Sequence, residues 1–315
     1  MSRAGSGPGA AVACTSEQCV LGEGARWDAR RGELLRVDIA AGRVYRDRVA
    51  PDGGLVHVRA YTVPGTVGAI APIEGDDGWL LAAGRGFVHL LPDGSRRTIA
   101  TVAPAGTRMN DAACDPQGRL WAGTLADDHH PGGGALYRLD TDGRIDQVLD
   151  SLTISNGLGW SPDGRTMYLA DSIPGVIHAF AFDGERGTIS EGRVIVTVPE
   201  DVGAPDGLTV DSDGDLWVAV YGGGCVHRYA PNGELRLVLD VPAEQSTCCA
   251  FGGPGLTRLY VTTATEGWSD ERRRAEPAAG LVYRLDTDAV GRPALPFRPD
   301  PAWWTSVRRR ADRPA

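Results

Sequence analysis

The chain has 315 residues and a formal net charge of −9, and 42% of its residues are hydrophobic, which is enough for a sizeable buried core. The negative charge argues against a protein that binds nucleic acid non-specifically, because such proteins carry a basic surface. The sequence contains no lysine, so all 32 basic residues are arginine. Schiff-base chemistry on a lysine side chain is therefore excluded.

No stretch of about 18 apolar residues is present to predict a transmembrane helix. Residues 1–10 lack the apolar region of a signal peptide, and we predict that they form a disordered tail. The six cysteines are scattered and include no CxxC pair. This pattern favours free thiols in a reducing compartment over disulfides or a zinc–thiolate site. The sequence thus predicts a cytoplasmic protein with no membrane partner.

Short segments rich in Val, Leu, Tyr and Trp alternate with glycine turns along the chain, which is typical of β-strands. A turn ending in glycine and followed by a strand occurs six times. The glycines of these turns are Gly32, Gly78, Gly118, Gly164, Gly214 and Gly255. A repeat of roughly 40–50 residues with four short strands in each unit predicts the blades of a β-propeller. A pair of β-sandwiches, the alternative fold, does not explain the regular repeat.

We therefore predict an all-β fold, a six-bladed β-propeller with a central metal-binding channel, over residues 11–298. The apolar segment before the first repeat is expected to pair with the last blade and close the ring, because closure removes exposed sheet edges. The basic stretch 299–315 is predicted to be a solvated C-terminal tail.

Polar residues occupy matching places in four of the repeats. Asn110, Asn156 and Asp206 each lie eight residues before the glycine of their turn, and Glu23 lies nine residues before its glycine. The innermost strands of a propeller line its central channel, so residues at one phase of the repeat meet on one ring. The sequence therefore predicts that these four side chains converge at the mouth of the channel.

Carboxylates and amides that converge in a narrow channel repel one another unless a cation lies between them. Their oxygen atoms suit Ca²⁺, Mg²⁺ or Mn²⁺, and Zn²⁺ also accepts carboxylate oxygen. The same count reaches Ile70 and Thr247 in the second and sixth repeats. The alternative is that Asn156 and Asp206 only form turns, since Asn-Gly and Asp-Gly are common in loops. Glu23 has no such turn role, so the pattern favours one divalent metal ion.

Five motifs follow the repeat in order along the chain. They read LGEGARWD, RMNDAACDPQGRLWAGT, ISNGLGWSPDGRTMYLADS, PDGLTVDSDGDLWVA and CCAFGGPGLTRLYVT. Over residues 14–295 they resemble the family of senescence marker protein (regucalcin), gluconolactonase and luciferin-regenerating enzyme. The resemblance implies a six-bladed propeller with one divalent metal in its channel, in a family whose enzymes commonly hydrolyse sugar lactones.

The resemblance also assigns site residues by motif. The Glu, Asn and Asp that hold the metal in the family fall on Glu23, Asn156 and Asp206. The Arg and Asn that contact substrate in the family fall on Arg108 and Asn110, and this Asn can also lie close to the metal.

The loop after the AGT motif departs from the family. An acidic residue that borders the substrate would fall near Asp128, where the animal members would have Glu, and the neighbouring His129 and His130 also differ. We expect this departure to change the substrate rather than the reaction.

The sequence thus predicts a metal-dependent lactonase that opens sugar lactones with a metal-activated water. Asp206 would bind the metal and act as general base. No G-x-S-x-G motif is present to support a serine nucleophile.

Three alternatives stay open at this point. One is a phosphotriesterase-type hydrolase that uses the same channel. Another is a non-catalytic propeller that binds a protein or buffers calcium. The last is a strictosidine-synthase-like condensing enzyme, which does not need the polar ring. The expected partner is a small sugar lactone, with the protein a monomer or a small homo-oligomer.

Overall fold

The computed structural model describes residues 10–310. Six four-stranded antiparallel sheets are arranged as the blades of a propeller, so the predicted six-bladed, all-β fold is confirmed. The predicted disordered tail over residues 1–10 lies outside the described residues, apart from Ala10. Among the helices of the described residues, none has both the length and the apolar character that a bilayer-spanning helix needs.

Each blade uses its four strands in order from the channel to the rim. The innermost strands are β2 (Gly22–Asp28), β6 (Val67–Pro72), β10 (Thr107–Cys114), β14 (Ser155–Trp160), β18 (Ala204–Val210) and β22 (Ser246–Gly252). The second strands are β3 (Glu33–Asp38), β7 (Trp79–Ala83), β11 (Leu120–Ala126), β15 (Thr166–Asp171), β19 (Leu216–Tyr221) and β23 (Arg258–Thr263). The third strands are β4 (Arg43–Val49), β8 (Gly86–Leu90), β12 (Gly134–Leu139), β16 (Val176–Asp183), β20 (Cys225–Tyr229) and β24 (Val282–Asp286). The outermost strands of the first five blades are β5 (Leu55–Thr62), β9 (Arg96–Thr101), β13 (Ile145–Leu152), β17 (Thr188–Thr197) and β21 (Leu235–Asp240).

The ring closes between the two ends of the chain, as predicted. The outermost strand of the sixth blade is β1 (Val12–Ala13), which pairs antiparallel with β24. Val12 lies opposite Arg284 and Ala13 lies opposite Tyr283. Residues from the start of the chain therefore complete a sheet built mainly from its end, and the sixth blade keeps four strands.

Two buried tryptophans on second strands connect the third and fifth blades to their glycine turns. The indole Nε1 of Trp121 donates to Asp115 at 3.0 Å, and that of Trp217 donates to Asp211 at 2.9 Å. Each aspartate also accepts backbone N–H bonds from the turn that follows it. The repeated pattern of Asp, turn glycine and Trp in the sequence thus places a satisfied polar group beside a large buried ring.

Every innermost strand carries a β-bulge, and all six bulges occur at the same step of the blade. The register of the strand pair shifts between the residue pairs 23/26, 67/69, 109/112, 155/158, 205/208 and 246/248. A bulge adds one residue to its strand and redirects the local side chains. Glu23, Asn110, Asn156 and Asp206 lie at or beside these bulges, which therefore present them to the channel.

In the second blade, the residue at the bulge is not the one that the count on the sequence reached. The bulge falls on Gly68, whereas Ile70, the position that counting reaches, is buried in the apolar core. A Cβ on Gly68 would lie 2.3 Å from the backbone oxygen of Asn110. The second blade therefore brings its backbone, rather than a side chain, against the neighbouring inner strand.

Residues 301–310 differ from the solvated tail that the sequence predicts. They form a helix that packs against the propeller, while residues 311–315 lie outside the described residues. The two α-helices of the described chain are α1 (Asp270–Ala275) and α2 (Pro301–Arg310). The carboxylate of Asp300 accepts the N–H groups of Ala302 and Trp303 at 2.9 Å each, which caps the first turn of α2. Trp304 is 5% exposed and packs in the core of the second and third blades, so burial holds this helix in place.

Candidate active site

A cavity of about 260 Å³ occupies the channel mouth at the level of the bulges. The residues that line it come from all blades except the second. They are Leu21, Glu23, Ile39, Arg108, Asn110, His129, Ile154, Asn156, Ser172, Ile173, Ala204, Asp206, Tyr221 and Glu266. The structure thus brings together five of the six site residues expected from the sequence, and Asp128 is the exception.

Glu23 and Asp206 form a buried pair of carboxylates at the floor of this cavity. Burial raises the pKa of Glu23 to about 8, and the nearby charge of Asp111 adds to the effect. Burial also raises the pKa of Asp206 well above its usual range, reinforced by the negative charges of Glu23 and Asp111. The Oδ1 atom of Asp206 is buried, and it has no hydrogen-bond partner among the described residues. Such a group is costly to bury unless it meets a proton or a cation.

A chain of hydrogen bonds connects the amides of the ring. Arg108 Nη1 donates to Asn110 Oδ1 at 2.7 Å, and Asn110 Nδ2 donates to Asn156 Oδ1 at the same distance. Asn156 Nδ2 in turn donates to Ser172 Oγ at 2.8 Å, and Ser172 Oγ donates to the backbone oxygen of Pro205 at 2.7 Å. The chain fixes the orientation of both amides, so the Oδ1 atom of Asn156 accepts from Asn110 and keeps a second lone pair.

Arg108 supplies a positive charge at the wall of the cavity. Burial lowers the pKa of its guanidinium, while the carboxylates of Glu266, Glu23, Asp127 and Asp206 oppose this shift. Among the hydrogen bonds of residues 10–310, only Nη1 of its nitrogens donates, to Asn110 and to the backbone oxygen of Met109. The remaining N–H groups are available to a bound ligand.

An ion pair lies beneath the ring, on the far side of the carboxylates. Arg26 Nη2 lies 3.6 Å from Asp111 Oδ1 and donates to the backbone oxygen of Ala112 at 2.6 Å. Burial raises the pKa of Asp111, and Arg26 counters the shift. Asp111 therefore belongs to the wall of the channel below the cavity.

The loop after β11 contributes His129 to the cavity. Its neighbour Asp128 is exposed, and the Asp128 carboxylate contacts His130 Nδ1 at 2.5 Å. The backbone of His129 is left-handed, with φ of 56°, which is uncommon for a residue other than glycine. In this arrangement His129 faces the ligand space, while Asp128 lies on the outer side of the loop.

Three polar residues of the cavity were not found by sequence reasoning: Ser172, Tyr221 and Glu266. They come from the ends of the second strands, or from just after them, in three successive blades. Burial raises the pKa of Tyr221, and the negative charge of Glu266 adds to the effect. Ser172 lies 16 residues after its partner Asn156. Tyr221 lies 15 residues after Asp206, so no single count from the inner ring reaches all members of this outer circle.

The donor set fits a hard cation that binds oxygen. It combines two buried carboxylates with an amide oxygen, and one carboxylate oxygen has no hydrogen bond within the part of the chain that the structure describes. Within residues 10–310, no three side chains of His, Cys, Asp and Glu form a metal-binding group by themselves. A metal at this place would therefore need the amide oxygen of Asn156 together with Glu23 and Asp206.

Comparison with known proteins places the chain among lactonases and regucalcins. The sequence model of the SMP-30/Gluconolactonase/LRE-like region matches residues 21–265. Pentonolactonase XacC of Haloferax volcanii is 40% identical over 290 residues, covering 90% of this chain and 95% of that protein. Regucalcin of Xenopus laevis is 34% identical over 279 residues, covering 86% of this chain and 92% of that protein.

A solved structure from Agrobacterium tumefaciens, described as the calcium-binding protein regucalcin, has the same fold. It superposes with a TM-score of 0.84 at 28% identity and covers 91% of this chain and 96% of that chain. The family model spans most of the chain, and the solved relative shares its fold. The chain belongs to the SMP-30/gluconolactonase/LRE-like family.

Proposed function

We propose that the protein is a divalent-metal-dependent hydrolase that opens sugar lactones. One observation carries the proposal: the buried carboxylates of Glu23 and Asp206 line the same cavity, and no described residue offers a hydrogen bond to Asp206 Oδ1. Such a pair favours a bound cation over an empty channel. The name of the archaeal relative, a pentonolactonase, supports a lactone as the substrate class.

Glu23, Asn156 and Asp206 would hold the metal. Because the set consists of oxygen donors, and because the solved relative is described as calcium-binding, Ca²⁺ is the first ion to test, followed by Mg²⁺, Mn²⁺ and Zn²⁺. Once bound, such an ion would supply Lewis-acid polarisation of the ester carbonyl and would acidify a water molecule.

The protein's own groups would position the lactone and move a proton. Asp206 has two carboxylate oxygens, so one can bind the metal while the other accepts the proton of the attacking water. The free N–H groups of Arg108 would stabilise negative charge that develops on the lactone oxygen. Asn110 would keep Arg108 in place through their 2.7 Å hydrogen bond and would meet substrate hydroxyls beside it.

The cavity also supports a small polar substrate. Its volume of about 260 Å³ is just below the range of drug-sized pockets, which suits a single sugar ring. The substrate would be bordered by the loop that carries Asp128 and His129, of which His129 lines the cavity. This loop would then influence which sugar lactone is accepted.

A pH-indicator assay on a panel of sugar lactones tests the proposal, with Ca²⁺, Mg²⁺, Mn²⁺ and Zn²⁺ added in turn after removal of metal by a chelator. We expect no turnover by the chelated protein and recovery with at least one ion. Circular dichroism before and after chelation serves as the control for folding. Full activity without metal would refute the metal dependence.

The same panel separates the remaining alternatives when organophosphates are included. Turnover of organophosphates alone would identify a phosphotriesterase, and calcium binding without any turnover would identify a non-catalytic calcium-binding propeller. We further propose that the protein acts in the cytoplasm, which its six free cysteines support.

A further inference from the structure

A second cavity opens from the candidate active site between the fourth and fifth blades; we call it the outer groove. It lies between the turn 172–175 after β15, the loop 197–204 that leads into β18, and the end of β19. Its volume is about 670 Å³. Ser172, Ile173, Ala204 and Tyr221 line both this groove and the channel cavity. The two spaces are therefore continuous.

The sides of the outer groove are apolar and exposed. Ile173 is 57% exposed and Val202 is 36% exposed, and both are among the few large hydrophobic residues at the surface of the described chain. Pro174 and Pro199 are exposed beside them. Grouped apolar side chains around a cavity are typical of a ligand-binding surface.

The charges at the groove are of one sign. Glu200 and Asp201 are its carboxylates, and both are exposed. No arginine or histidine is among the described residues that line it. An anionic group would therefore be repelled, and a neutral apolar group would be accepted.

The walls of the groove are held in place by backbone contacts. Val198 N–H donates to the backbone oxygen of Gly175 at 2.8 Å, which joins the loop to the turn. A Cβ on Gly203 would lie 2.5 Å from the backbone oxygen of Tyr221, so the loop packs closely against the fifth blade. Because the groove is preformed, little conformational entropy is lost when a ligand binds in it.

We propose that the outer groove binds an uncharged apolar substituent carried by the lactone substrate. The lactone ring would lie beside Arg108 in the channel cavity, and the substituent would extend past Ile173 toward Val202. The inference rests on the proposed lactonase function for the identity of the ring, but the groove can be tested by binding alone.

The test measures the affinity of γ-lactams, which resist hydrolysis, for the calcium-loaded protein by calorimetry. The lactams carry alkyl substituents that grow from methyl to hexyl, and a parallel series ends in a carboxylate. We expect the affinity for the alkyl series to rise about threefold to fourfold per methylene until the groove is filled. The carboxylate series should show no such gain.

Val202→Asp should reduce the increase in lactam affinity per methylene several-fold. Val194→Asp should leave this increase unchanged. Val194 is a matched control because it is 49% exposed on β17 and does not line the groove. Equal affinity for all chain lengths, no lactam binding, or the same loss in both variants would overturn the inference.

Hydrolysis of the matching lactones separates this inference from the proposed function. Hydrolysis without any effect of chain length would overturn only the outer groove. A gain in lactam affinity without hydrolysis of any lactone would overturn only the lactonase proposal.

Discussion

The Nδ2 of Asn110 lies 2.7 Å from the Oδ1 of Asn156 and donates a hydrogen bond to it across the boundary between the third and fourth blades. Because this bond orients a proposed metal ligand, Asn110→Ala should weaken calcium binding by about 10–100-fold, the range typical of residues that support metal ligands. Calorimetric titration with Ca²⁺ measures the change. The exposed turn residue Asn232 provides the control, since Asn232→Ala should bind calcium like the unaltered protein.

Asp206→Asn should stabilise the metal-free protein and at the same time abolish its calcium binding. Without metal, the Asp206 carboxyl group stays buried only by taking up a proton, which costs folding free energy; the substitution removes this cost, so the metal-free variant should melt at a higher temperature than the unaltered metal-free protein. Calcium at 100 times its Kd should stabilise the unaltered protein by about 2.7 kcal/mol and the variant by almost nothing. Thermal unfolding with and without Ca²⁺ measures both effects. Asp206→Ala should likewise lose metal binding and turnover together.

Arg108→Ala should retain the metal, because a guanidinium is not a ligand, and should lose kcat/KM. Hydrogen bonds to charged groups are each worth about 1.5–3 kcal/mol, which corresponds to a loss of about 10–150-fold. Steady-state kinetics and calcium titration of the same preparation measure the two properties. Loss of calcium binding, or unchanged kinetics on all lactones, would show that the substrate lies elsewhere in the channel.

The loop after β11 should govern substrate choice through His129 more than through Asp128. His129→Ala removes a side chain that lines the cavity, so the ratio of kcat/KM between two sugar lactones should change. Asp128→Ala removes an exposed contact to His130 and should change this ratio less. A larger effect of Asp128→Ala would show that the loop closes over the substrate in a different conformation.

Asp76 connects helix α2 to the second blade through a hydrogen bond from Trp304. The contribution of this contact to stability should therefore fall at low pH. Asp76 Oδ2 accepts Trp304 Nε1–H at 2.9 Å, and its Oδ1 accepts Gly78 N–H at 2.7 Å and lies 3.3 Å from His89 Nε2. Burial alone would raise the pKa of Asp76, but these hydrogen bonds outweigh it and hold the pKa well below its usual range.

A lowered pKa in the folded state means that the charged carboxylate stabilises the fold above the unfolded pKa of about 3.9, and that this contribution is lost as the pH falls toward the folded value. Asp76→Ala should therefore lower the free energy of unfolding by about 1.5–3 kcal/mol at pH 7, and the difference should shrink below pH 4. Urea unfolding followed by tryptophan fluorescence measures it. Asp77→Ala, an exposed neighbour, is the control.

The blades could be predicted because the sequence repeats with a regular period and has a glycine turn in each repeat. The ring could be predicted because each inner strand has its bulge at the same step, so that a count from the turn reaches matching residues. The count failed in the second blade because Gly78 directly precedes β7, whereas Gly118 lies two residues before β11. The turn before β7 is also one residue longer than the turn before β11, so the count reached Ile70 instead of Gly68.

The outer circle of the site could not be predicted in the same way. Ser172, Tyr221 and Glu266 are chemically unlike one another, and only the curvature of the sheets brings them to one cavity. Helix α2 was missed although it has a local signal. Asp300 followed by proline is a typical helix start, but the short stretch with two adjacent tryptophans shows too little periodicity to stand out.

The bulges also bear on how such a protein can diverge. Each one adds a single residue while the hydrogen-bonded pairs above and below it stay matched, so a ring position can change its side chain without moving its blade. A gene that exchanged an amide for a carboxylate at one blade would alter the chemistry of the channel and keep its architecture. Proteins that bind different ions or catalyse different reactions could thus evolve from one another by single substitutions, with every variant along the way still folded.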